Sequence, residues 1–131
     1  MKNSILLYFL FLSFNALAQS KADTTIYDKV DVQAEFPGGV AKMLRFIGKN
    51  FKFSNAFVKA NASIGKQTAK LVIEKDGKIS NIVEISPKVG FGMDEELARV
   101  IKLMPNWQPA QLKGEAVRSF YSLPVNICRM E

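Results

Sequence analysis

The chain has no histidine and a single cysteine, Cys128, among its 131 residues. Without histidine, zinc-type ligand sets and imidazole-based acid–base or nucleophilic machinery are excluded. One cysteine excludes an internal disulfide, so the fold depends on its apolar core; an intermolecular disulfide through Cys128 is the only covalent alternative. Proline is scarce, five in all, and nowhere clusters into a stiff spacer. Apart from the N-terminus, no apolar run approaches the roughly 20 residues that a membrane-spanning helix needs.

The first residues read as a targeting segment. Lys2 supplies a positive start, Ile5 to Phe14 an apolar run broken by Ser13, and Ala16-Leu17-Ala18 the small-x-small pattern of a cleavage site. The expected organisation is a signal peptide over 1–18, a polar leader over 19–34 that is at best partly ordered, and one domain over 35–131. The expected location is an exported compartment, with a membrane association only if the segment stays uncleaved. Loss of Lys2 lowers the net charge from +6 to +5, so the exported chain stays basic.

Val89 to Pro109 is the stretch around which the rest is arranged. Leu97, Val100, Ile101 and Met104 recur at helical spacing, Asp94, Glu95 and Glu96 crowd the first turn, and Arg99 and Lys102 lie further on. Gly90 and Gly92 precede this helix and Pro105 ends it. An earlier helix is predicted from Val40 to about Asn50, with Val40, Met43, Leu44, Ile47 and Phe51 as its apolar face, opposite a stripe of Lys42, Arg45, Lys49 and Lys52. One or two further turns fit within 54–63, capped by Ser54 or Asn55.

Between the helices the period changes to two. Ala69, Leu71 and Ile73 alternate with polar residues, Asp76-Gly77 predicts a type I′ hairpin turn, and Lys78 to Ile85 returns with a spacing that suggests a bulge. At the end, Val117, Ser119, Tyr121, Leu123, Val125 and Ile127 share one face of a strand, and Arg118, Phe120, Ser122 and Asn126 point the other way. Pro124 interrupts this run. Because proline brings no N–H to a ladder, the strand belongs at a sheet edge. The predicted fold is α+β, with helices packed on one face of a three-stranded antiparallel sheet.

Several sharper readings fail on the residues. Gly90-Phe91-Gly92 lacks the third glycine of a dinucleotide site, and the three acids beside it would repel a phosphate. The basic stripe of the first helix is a solvated face rather than a nucleic-acid site, with weak attraction to anionic envelope polymers as the alternative. Consecutive Asp94, Glu95 and Glu96 point in different directions and have no nucleophile with them, so no catalytic residue is assigned. No metal or cofactor is expected. Trp107 is expected to pack over the helix end.

Taken in order, Phe36-Pro37-Gly38-Gly39, Gly65 followed by Asp76-Gly77, G-F-G-M-D-E-E-L-A-R-V-I, M-P-N-W-Q-P and V-R-S-F-Y-S-L-P-V-N form a pattern. From Phe36 to Ile127 it resembles the C-terminal domain family of TonB, the periplasmic energy-transducing protein of Gram-negative bacteria. Two departures stand out: Phe53-Ser54 replaces the family's Tyr-Pro, and no long proline-rich linker precedes the domain. The resemblance makes that compartment the periplasm and implies a recognition domain without its motor connection, binding the TonB box of an outer-membrane receptor as a strand added along Val117 to Asn126. Within that segment Arg118, Phe120, Ser122 and Asn126 would supply selectivity, with Phe53 and Ser54 as weaker contacts. The alternative is a structural or regulatory module that pairs edge to edge with itself or with an anchored TonB.

Overall fold

A computed structural model describes residues 24–63 and 65–127; the expected signal peptide and Cys128 lie outside them. Helix α1 (Val40–Asn50) and the short α2 (Asn55–Lys59) are followed by strands β1 (Gly65–Ile73) and β2 (Ile79–Ser86). Helix α3 (Met93–Lys102) comes next, then β3 (Ala110–Leu112), β4 (Glu115–Val117) and β5 (Ser119–Ile127). The molecule is α+β. Its main sheet is antiparallel with the order β2-β1-β5, and β3 and β4 form a separate two-stranded ladder.

The period-two pattern of β1 accounts for the core. Ala69, Leu71 and Ile73 are fully buried and cluster with Met43 and Ile47 of α1, Leu97, Val100 and Ile101 of α3, and Leu123 and Val125 of β5. Both long helices thus lie on one face of the sheet. Trp107 is part of this cluster, edge-on to Phe36 at 5.8 Å and to Tyr121 at 4.8 Å between ring centroids.

Helix α3 begins after a run of positive φ at Gly90, Phe91 and Gly92. Asp94 turns back over this run: its carboxylate accepts from the N–H groups of Val89 (3.0 Å) and Gly90 (2.9 Å) and from Gln67 Nε2 (2.8 Å). Burial raises the Asp94 pKa, but these hydrogen bonds and the charge of Lys88 outweigh it and leave the carboxyl below its ordinary value. Asp94 therefore anchors the β2–α3 loop, a role that dipole compensation alone does not describe. Glu96 pairs with Arg99, which donates to the Asn50 carbonyl at 2.8 Å, while Glu96 accepts from Lys52 N–H at 3.2 Å. This pair joins α3 to the end of α1.

Two expectations are corrected. Asp76 does not take the positive φ that a type I′ turn demands of both central residues; Gly77 alone does, in a loop closed by Glu74 N–H to Lys78 O at 2.8 Å. Lys113-Gly114, between β3 and β4, does have positive φ at both positions. Second, Val117 pairs with Ala110 in β4 and is not part of the edge strand, because the chain breaks at Arg118 before β5 begins. The leader, expected to be at best partly ordered, is tied within its described part: Tyr27 bridges Ser119 and Val32 bridges Gln111, and just beyond it Glu35 bridges Gln108. Single bridges have no periodic signature in the sequence.

Candidate functional site

A three-stranded sheet has two edges, and they differ here. Along β2, the register against β1 shifts twice, leaving Val83 and Ser80 as extra residues. Such bulges twist an edge away from further pairing. Strand β5 has no such break: its partners on β1 run one to one from Gly65 with Ile127 to Ile73 with Ser119. The regular edge is β5.

Backbone direction along β5 follows from one bond. Phe120 N–H donates outward to the Tyr27 carbonyl at 3.0 Å, and Tyr27 N–H donates to the Arg118 carbonyl at 2.9 Å. In an antiparallel ladder the residues alternate between facing their partner and facing away. Phe120, Ser122 and Pro124 therefore present their backbone groups outward, while Ser119, Tyr121, Leu123 and Val125 bond to β1. Pro124, opposite Thr68, sits where its missing N–H breaks no bond to β1. The leader fills the first position of the edge, and beyond it the outward groups are the Phe120, Ser122 and Pro124 carbonyls and the Ser122 N–H.

Helix α1 overhangs this edge. Of its expected apolar face, Met43 and Ile47 are buried, whereas Val40 and Leu44 remain 57% and 47% exposed. Two hollows lie between the helix and β5. The first, of about 640 Å³, is lined by Asp28, Glu35, Val40, Met43, Phe120 and Tyr121 among others. The second, of about 380 Å³, is lined by Leu44, Gly48, Phe51, Phe53, Lys66 and Pro124 among others. Burial, and then the nearby Glu35 carboxylate, hold the Tyr121 hydroxyl above its usual pKa.

The side chains assigned to selectivity divide. Ser122 and Pro124 are exposed, and Asn126 lines the second hollow. Phe120 carries the Lys70 ammonium 4.3 Å from its ring centroid. Arg118 is committed elsewhere, to Glu74 at 2.8 Å and to the Thr24 carbonyl at 2.8 Å. Phe53 lines the second hollow and stacks on Phe57 at 5.3 Å. Ser54 has a local role: it caps α2 by accepting from Phe57 N–H at 3.1 Å and donates to the Phe91 carbonyl at 2.7 Å. Sequence reasoning missed Asp28, which sat in an unpatterned leader, and Glu35, the first residue of the expected domain. It also took Val40 and Leu44 for core, although an apolar face that broad on so short a helix was itself a signal.

Among the described residues no three metal-ligating side chains converge, and no helix is long and apolar enough to cross a membrane. The arrangement offers backbone hydrogen bonding beside an apolar rim, with two carboxylates at one end. No family model, no characterised protein and no solved structure matches the chain.

Proposed function

We propose that this chain is a binding module that takes an extended peptide as a fourth strand on the outer edge of β5, around Ser122. The observation that carries this reading is the unbulged edge with outward backbone groups lying beneath the exposed rim of α1. Each backbone hydrogen bond contributes about 0.5–1.5 kcal/mol net, so the open groups alone give weak binding and the hollows must add to it. The TonB-like motif order supports a partner of the TonB-box type, the N-terminal segment of an outer-membrane receptor, met in the periplasm during energy-dependent transport. Titration of the chain from residue 19 with such receptor peptides tests it. Absence of binding at millimolar peptide counts against it.

The same edge supports a second reading, a regulatory module pairing with itself or with an anchored TonB. Ser122 directs both a donor and an acceptor outward, so two copies related by a two-fold axis can exchange bonds there. Light scattering separates the two: a strict monomer at high concentration removes self-pairing.

A further inference from the structure

Strand addition, on which this inference rests, leaves open what the peptide must carry. We infer that the β5 edge selects a segment with a basic side chain and a large apolar side chain four positions apart on one face. The basic one enters the hollow beside Glu35 and the apolar one the hollow beside Gly48. The spacing follows from the strand itself. Tyr121 lines the first hollow and Val125 the second, and both project to the α1 side of the sheet. A strand added in step keeps the same period, so its matching residues lie about 13 Å apart at roughly 3.3 Å per residue.

Charge separates the two ends. Asp28 and Glu35 are exposed and have no ion-pair partner among the described residues. The cation lining the same hollow, Lys70, is held over the Phe120 ring. Burial chiefly, and the Glu35 carboxylate in second place, raise the Tyr121 pKa, so Glu35 lies close enough to act on this hollow. At the other end the lining cation is Lys66, which disfavours a basic side chain there. A Cβ added to Gly48 would meet nothing within 4 Å, so the helix surface is dished between Leu44 and Phe51 and leaves room for a ring.

The test uses the chain from residue 19 and short end-blocked fluorescent peptides of alternating threonine and valine. They carry a phenylalanine and a lysine four positions apart, in both orders, because a parallel and an antiparallel guest present them oppositely. One order is expected to bind. Replacing its lysine by glutamate should weaken binding about ten-fold at low salt, an effect that shrinks at high salt. Replacing its phenylalanine by alanine should weaken it about ten-fold or more, as expected for a buried ring. The double variant Asp28→Asn, Glu35→Gln should lose the preference for lysine over glutamate while still binding. Gly48→Leu, which fills the second hollow, should weaken the phenylalanine peptide and leave the alanine peptide unchanged. Circular dichroism melts confirm that each variant folds. Equal affinity for the lysine and glutamate peptides, or for the phenylalanine and alanine peptides, overturns this inference and leaves strand addition standing. No binding by any peptide overturns strand addition itself.

Discussion

Placing a proline at Ser122 and at Leu123, one residue apart, should give opposite outcomes. The Ser122 N–H points away from β1, so Ser122→Pro removes no ladder bond, and the extended strand suits the residue before a proline. The side chain is exposed, and the expected cost is under about 1 kcal/mol, comparable with other surface changes. In a domain of this size that lowers Tm by no more than about 4–8 °C. Leu123 is fully buried and its N–H faces β1. Leu123→Pro therefore loses roughly 2–5 kcal/mol of packing and, by leaving a buried β1 carbonyl without its donor, about 1–3 kcal/mol more. The sum reaches the lower part of the 5–15 kcal/mol that holds a typical domain together. Leu123→Ala measures the packing part alone. Thermal and urea unfolding followed by circular dichroism should show Ser122→Pro near wild type, Leu123→Ala weakened, and Leu123→Pro unfolded or close to it. The folded Ser122→Pro variant should bind peptide about five-fold more weakly, having lost one donor worth roughly 1 kcal/mol. If Ser122→Pro unfolds the protein as Leu123→Pro does, the N–H is used inside the molecule and the reasoning is wrong.

Other positions give sharp expectations. A Cβ at Gly77 would sit 1.9 Å from the Trp107 carbonyl oxygen at a φ of +86°, so Gly77→Ala should cost several kcal/mol, on the order of 3, in urea unfolding. Gly48→Ala, in the last turn of α1 with open space around it, should instead stabilise by about 0.5–1 kcal/mol. Asp94→Asn places an amide against N–H donors and should destabilise by about 1–3 kcal/mol. The folded Asp94 carboxyl titrates below its ordinary value of 3.8, so its contribution is fully present above that pH and is lost as pH falls through the lower folded value. Acid unfolding of Asp94→Asn should accordingly be shallower than that of wild type in this range.

Elements with strong local chemistry were legible in the sequence. Helix α3 stops before Pro105, α2 starts after its Ser54 cap, and Pro124 lies on an edge strand, each as the residue type requires. One of the two bulges of β2, at Ser80, was foreshadowed by the uneven spacing of Ile79 and Ile82; the other, at Val83, was not. What failed depended on tertiary neighbours. Continuous alternation across 117–127 concealed the break at Arg118, which arises because Val117 is claimed by Ala110. The leader carried no periodic pattern because its ties are isolated: the backbone of Tyr27 and Val32, and the Asp31 carboxylate that accepts from Lys113 N–H at 2.8 Å. For the site, period two and one proline pointed to the strand. The overhang of Val40 and Leu44 and the meeting of Asp28 with Glu35 needed coordinates.

Residue-resolved amide hydrogen exchange at Ser122 tests the open edge most directly. In the free protein its amide should exchange far faster than those of Tyr121 and Leu123, and saturating peptide should slow it several-fold while leaving its neighbours protected as before. A Ser122 amide already as protected as Leu123 in the free chain would mean that this edge has no room for a guest.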